Sequence, residues 1–496
     1  MKHGFRILVP TALILVLVCV AVVATTGTAA AEVGVVDGYE ADDEFGFEQP
    51  LDEDEVDAVV ARSMARVEEI REREFEERPN VEIVGQDEVP GREEVERTPE
   101  ADWNNVVWKA LLVIGEDEYA NDVIGRTLSG ATTGFYEPGN ETKESRVALV
   151  GEMDEPTLAH ELVHAMQDER YNLSSDRFRP PVQDEQMASQ GIIEGEAEYV
   201  RFVYEERCAL EWECYERRSG VGDTDFDGNT GVLLVALQPY SDGPEYVHRL
   251  FEEDGWDAVD EKYDDVPTTS SEIIHFEERE AVDIEFDEES FGGWSLYDTG
   301  RDGYDVAGEA SIFVTFWYQS HTTGYDLDIV DTSGFFSRSG EYIRYDYRSD
   351  VSEGWRGDRI YPYHRETDGG NETGFVWLST WATEEDAERF ADAYLAVLDG
   401  HGAERVDGAT RIVGDASEFR GAYRVARQDE NVTVVHAPTT EGLDELRPSV
   451  SDAERPTGEP VDARPQPEAT PGFGFVAAVV ALFSLVVARY GTRLRA

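Results

Sequence analysis

Apolar side chains recur at Val56, Val59, Val60, Met64 and Val67 with the spacing of one helix face, which predicts a helix from Val56 to about Arg78. Pro79 ends it, and the alternation Val81-Glu82-Ile83-Val84 predicts a strand. A second helical stretch spans Val106 to Ile114. Two short strands follow, near residues 134–139 and 147–150, joined by a turn that holds Asn140. Asp154 then offers a helix cap and Pro156 an early proline, and Leu158 to Asp168 reads as uninterrupted helix. A further apolar helical stretch runs from Gly191 to Tyr204. From Gly374 onward the pattern predicts a strand, a helix from Thr383 to Leu398, a hairpin from Tyr423 to Ala437 and a short helix from Thr440 to Leu446. Trp355 and Trp381 are expected in the core.

Both ends break this pattern. Residues 1–31 carry Lys2 and Arg6, an apolar run from Ile7 to Ala24 and a small-residue tract ending at Ala31, the form of a secretory signal peptide. At the other end a polar spacer (447–470) leads to Pro471-Gly472-Phe473, an apolar run to Ala488 and then Arg489, Arg493 and Arg495. That run has the length of a short membrane span, with its arginines on the cytoplasmic side and the body of the protein outside. Residues 32–54 are rich in Asp and Glu and predict a solvated lead-in.

Composition sharpens the picture. The chain of 496 residues holds 107 Asp plus Glu against 42 Lys plus Arg, a net charge of −65, and this excludes a nucleic-acid partner. With 41% hydrophobic residues it can still bury a core. Lysine is confined to Lys2, Lys109, Lys143 and Lys262. Such a balance suits molar salt, where a Debye length of about 3 Å screens self-repulsion. Cys208 and Cys214 can form a short disulfide loop in an oxidising compartment or remain two thiols. Asn140, Asn172, Asn371 and Asn431 open N-x-[ST] sequons.

The chemistry concentrates in His160-Glu161-Leu162-Val163-His164. Histidines at i and i+4 share one helix face, where their ring nitrogens can converge on one zinc ion. Glu161 is placed to take a proton from an attacking water. With nine His in the chain, this pattern arises by chance with a probability of only roughly 2%. Leu158, Ala159, Leu162, Val163, Ala165 and Met166 surround the pair with apolar side chains, so the helix should be buried. Downstream, Glu194, Glu196 and Glu198 interrupt an apolar helix and call for a cation or hydrogen-bond partners.

The His-Glu-x-x-His helix answered by Glu194-Gly195-Glu196-Ala197-Glu198-Tyr199-Val200 resembles the gluzincin zinc metallopeptidases. That resemblance implies Glu194 as third metal ligand and Glu198 as the acceptor that orients a histidine. Helical-wheel placement keeps Glu196 open as the alternative ligand. A wider resemblance joins these segments to Asp265-Val266-Pro267-Thr268-Thr269-Ser270-Ser271-Glu272-Ile273-Ile274-His275, Gly354-Trp355-Arg356-Gly357-Asp358 and Trp377-Leu378-Ser379-Thr380-Trp381. Together they look like a family of secreted gluzincin-like proteins that includes haloarchaeal surface members. His275 is then either an oxyanion donor or a packed, capping histidine. The C-terminal Pro471-Gly472-Phe473 signal resembles the PGF-CTERM sorting sequence, which implies processing by an archaeosortase-type enzyme and a lipid anchor at the cell surface.

The expected fold is α+β: a mainly helical gluzincin-like core with a short-stranded edge sheet over 55–345 and a smaller α+β subdomain over 346–446. The expected activity is hydrolysis of a peptide or protein substrate with one zinc ion. The rival expectation is a surface structural or binding protein on the same fold, without turnover. A half-formed calcium loop, Asp223-Thr224-Asp225-Phe226-Asp227-Gly228, has Leu234 where its bidentate Glu should stand, which makes Ca2+ a weak second cofactor.

Overall fold

The computed structural model describes residues 33–91, 96–139, 143–216, 228–299, 303–323, 327, 329–337 and 340–452. A two-stranded ribbon, β1 (Val35–Val36) and β2 (Tyr39–Glu40), precedes α1 (Glu53–Arg71), whose start is fixed by a reciprocal Asp52/Glu55 capping box. The helix stops at Arg71, short of the expected Arg78, because Glu72 turns left-handed (φ 54°). That turn lets Arg73 join Arg71 on Asp260.

The acidic lead-in is solvated on its carboxylates yet docked. Ala41 is buried, Phe45 stacks on Phe47, and the carbonyls of Ala41 and Asp43 accept from Arg66 and Arg62 of α1.

Next come β3 (Asn80–Val84), α2 (Pro99–Ala110), α3 (Ala120–Ala131), β4 (Gly134–Glu137) and β5 (Arg146–Val150). Thr98 caps α2 with Pro99 at its first position, so the helix begins well before the apolar stretch at Val106. The small sheet has the order β3-β5-β4, with β3 parallel and β4 antiparallel to β5. Against it packs α4 (Glu155–Tyr171), followed by α5 (Gln183–Leu210) and α6 (Thr230–Lys262), the last broken at Asp254–Gly255. At Gly195 a Cβ would meet Cα of Gly243 at 2.9 Å, so the backbones of α5 and α6 touch where a side chain would hold them apart. α1, α4, α5 and the end of α6 enclose one core, which includes Leu158, Leu162, Ile192, Val200 and Tyr263.

The chain continues through α7 (Ser270–His275), β6 (Ser295–Leu296), α8 (Gly308–Thr322), β7 (Trp355–Thr367), β8 (Gly370–Trp381), α9 (Glu384–Gly400), β9 (Glu404–Arg405), β10 (Thr410–Val413), β11 (Gly421–Gln428), β12 (Asn431–Ala437) and α10 (Thr440–Leu446). Strands β6-β7-β8-β12-β11-β10-β9 form a seven-stranded antiparallel sheet. Alternation along β8 gives it two apolar faces. Phe375 and Trp377 join the core of α2, α8 and α9, whereas Val376 and Leu378 pack with Trp294 and α10 on the other side. Trp355 and Trp381 are buried as expected.

The fold is thus α+β; after Gly374 the expected strand, helix, hairpin and helix are present, with two further strands, β9 and β10, between the helix and the hairpin. The sheet starts earlier than residue 346, because the two-residue β6 at Ser295–Leu296 pairs with β7. Such a short strand carries no readable alternation. α2 and α8 also share the sheet's core, so the boundary drawn at 345/346 cuts through continuous packing.

Candidate metal centre

The first turn of α4 is anchored from three directions. Asp154 caps it through the Thr157 N–H. Glu155, completely buried, accepts from Arg62 Nη2 (2.9 Å), Arg66 Nη1 (3.1 Å), Ser63 Oγ (3.1 Å), Tyr204 OH (3.0 Å) and Tyr215 N (2.7 Å). Those partners belong to α1, to α5 and to Tyr215, which directly follows a Cys208–Cys214 disulfide, so the cysteines are paired.

One and two turns into this rigid helix, His160 and His164 bring their Nε2 atoms to 3.0 Å. Glu194 Oε2, from α5, lies 3.3 Å from the first and 3.2 Å from the second. All three side chains are wholly buried. Around a tetrahedral zinc with ligand bonds of about 2.0–2.1 Å, donor atoms stand about 3.3 Å apart, so this triangle has the size of one face of such a site. Neither oxygen of Glu194 receives an aligned hydrogen bond. Its Oε2 has the two imidazole nitrogens beside it, and a buried carboxylate in that setting is held charged by a cation, either a protonated imidazole or a metal ion. The three donors and their spacing could therefore hold a metal ion.

Burial opposes a charge on His160, but Glu194, Glu198 and Glu161 outweigh it and hold its pKa up at about 9. Burial drives that of His164 down. Burial would raise Glu194, yet the two imidazoles hold it down at about 2. Without metal the cluster thus keeps a proton on His160 and a carboxylate at Glu194, and a cation must displace that proton to use all three donors.

Glu198, one turn beyond Glu194 on α5, lies on the other side of the His160 ring. Its Oε1 lies 3.3 Å from His160 Nδ1, and it accepts from Arg201 Nη1 (3.2 Å) and Arg344 Nη2 (3.0 Å). These arginines and the imidazole keep Glu198 ionised against the effect of burial. With Nδ1 facing Glu198, Nε2 is the nitrogen of His160 at the triangle.

The alternative ligand, Glu196, is directed away. Its Oε1 lies 2.6 Å from Arg71 Nε, and its Oε2 accepts from Tyr263 OH at 2.5 Å. Helical-wheel placement does not separate the two residues, because α5 is buried all round from Gly191 to Arg201.

Glu161 is also completely buried and sits against the start of β4: a Cβ on Gly134 would come within 3.0 Å of its Oε1. His275 lies at the end of α7 with Nε2 2.8 Å from Glu309 Oε1, and Glu309 in turn accepts from Ser271 Oγ at 2.6 Å. The structure brings His275 to Glu309 and leaves it outside the three-donor group.

Two neighbours were not anticipated. Gln167 Oε1 lies 2.8 Å from His164 Nδ1, and the ring of Tyr240 stacks on His160 at 6.0 Å and 11°. Gln167 was legible, since i+3 from His164 puts it on the same helix face. Tyr240 was not, because only the α5–α6 backbone contact carries it there.

Asn172, Asn371 and Asn431 are exposed, the last two at hairpin turns. Asn140, residues 223–227 of the calcium loop, the signal peptide and Pro471, Gly472 and Phe473 lie outside the described residues. Leu234, the loop's twelfth position, is buried in α6. Among the described residues no helix is long and apolar enough to cross a membrane.

A family described as a domain of unknown function (DUF8575) matches residues 295–447. The match includes Glu309 and Arg344 but not His160, His164 or Glu194. No curated protein and no solved structure matches the chain.

Proposed function

We propose that the chain is an exported, surface-anchored zinc metallopeptidase. The observation that carries this reading is the 3.0–3.3 Å triangle of His160 Nε2, His164 Nε2 and Glu194 Oε2, with Glu161 next to the first histidine on the same helix. Zinc bound there supplies Lewis-acid activation of water and of a scissile carbonyl. Glu161 accepts a proton from the attacking water and passes it to the leaving amine. Since Glu309 takes the Nε2–H of His275, Nδ1 would donate to an oxyanion only in the doubly protonated ring. The Cys208–Cys214 disulfide supports an oxidising compartment, and the exposed sequons suit a surface protein. The partners are a peptide or protein substrate, an archaeosortase-type processing enzyme and the membrane at the C-terminal anchor.

One observation favours a second reading. The complete burial of His160, Glu161, His164 and Glu194 suits a metal that braces a structural or binding protein. Glu161→Gln separates the two: on the first reading it keeps its zinc and loses peptide cleavage by about 10²-fold or more. Zinc binding with no cleavage of a peptide library by the parent would favour the second.

A further inference from the structure

His164 can serve as a ligand through Nε2 only if its proton sits on Nδ1. The structure shows what enforces this. Gln167 Oε1 faces Nδ1 at 2.8 Å. The other end of the amide, Nε2, faces three oxygens: the Ile193 carbonyl (2.9 Å), Tyr263 OH (2.8 Å) and Glu196 Oε2 (3.1 Å). Flipping the amide would press Oε1 against a carbonyl and a carboxylate, so the orientation is fixed by its surroundings.

Those surroundings are themselves held. Glu196 takes Arg71 on one oxygen and the Tyr263 hydroxyl on the other, and Arg71 continues to Asp260 at 2.9 Å while lying 4.0 Å over the Trp256 ring. Tyr263 stacks on Tyr171 at 3.9 Å, and Tyr171 donates to Asp260 at 2.6 Å. Asp260 also receives Arg73 and Arg170, which reach solvent. Gln167, Glu196, Arg71 and Tyr263 are each at most 2% exposed. α4, α5 and the end of α6 thus meet at one amide, and α1 braces it through Arg71 on Glu196.

We infer that Gln167 is the positioning residue of the metal centre, with Glu196, Tyr263 and Arg71 fixing its amide so that the lone pair of His164 Nε2 faces the zinc. This rests on the metal reading above, and it gives Glu196 a task other than ligation. Catalysis need not be involved, because the effect is on metal affinity.

The test is equilibrium dialysis of the full-length protein against buffered zinc in molar salt, with the Co(II) absorption spectrum as a second readout of coordination. Gln167→Leu removes the acceptor and is expected to weaken zinc binding about 10- to 100-fold and alter the Co(II) spectrum. Gln167→Glu keeps an acceptor for Nδ1 but sets a carboxylate beside Glu196, so it is expected to lose stability while binding zinc within a few-fold of the parent. Tyr204→Phe, a destabilising change on Glu155's side of α5, should leave affinity unchanged. Parent-like affinity in Gln167→Leu, or equal weakening in Gln167→Glu, would overturn the inference and leave the metal reading intact. Absence of zinc binding in the parent would overturn both.

Discussion

A methyl group on Gly134 would lie 3.0 Å from Oε1 of Glu161 and 2.8 Å from Cγ2 of Thr157. The close approach of β4 to α4 therefore fixes where the carboxylate of Glu161 can stand. Gly134→Ala is expected to displace that carboxylate while sparing the metal donors. Since a shift of about 1 Å in a reacting group can cost about 100-fold, kcat should fall by about one to two orders of magnitude with zinc content unchanged. Steady-state kinetics with metal analysis of the same preparation check this.

Glu155 is the hinge pin of the first turn of α4. Removing it strands Arg62 and Arg66, both completely buried. Glu155→Ala should destabilise the protein by about 3–5 kcal/mol, whereas Asp444→Ala, which breaks an exposed pair with Arg424, should cost less than about 1 kcal/mol. Thermal unfolding in molar salt compares the two.

Asp184, buried at the start of α5, has its pKa pushed up by burial to about 8, with Ser270 working against the shift and Asp358 and Glu309 adding to it. The folded state therefore holds this proton where the unfolded chain, with an ordinary value of 3.8, has lost it. The stability so conferred is complete below about pH 4, declines as the pH rises and is gone above about pH 8. Asp184→Asn should flatten the fall of Tm between pH 5 and 8; a slope equal to that of the parent would show that Asp184 titrates normally.

Zinc uptake should also depend on pH. Because His160 is held protonated up to about pH 9 in the metal-free cluster, zinc must displace a proton below that value. Affinity should rise up to about tenfold per pH unit between pH 6 and 8 and level off near 9. Zinc dissociation constants across this range give the slope, and a flat profile would show that His160 is neutral without metal.

The histidine pair was legible because a five-residue motif on one helix needs no tertiary knowledge. Glu194 and Glu196 could not be separated by sequence, since what distinguishes them is Arg71, 125 residues from Glu196 along the chain. A helix buried on nearly every side has no wheel to consult. Elements after Gly374 were readable because β8, β11 and β12 are long enough to alternate, whereas β6 is two residues long and is defined only by its partner β7. The lead-in looked merely solvated because its docking runs through backbone carbonyls, which every residue has.

The central claim is that His160, His164 and Glu194 hold one zinc ion. Its most direct test is the zinc stoichiometry of the full-length protein purified in molar salt, beside Glu194→Ala and Glu196→Ala. The account predicts one equivalent in the parent, loss of zinc in Glu194→Ala and retained, weaker binding in Glu196→Ala. No zinc in the parent, or loss in Glu196→Ala with full occupancy in Glu194→Ala, would contradict it.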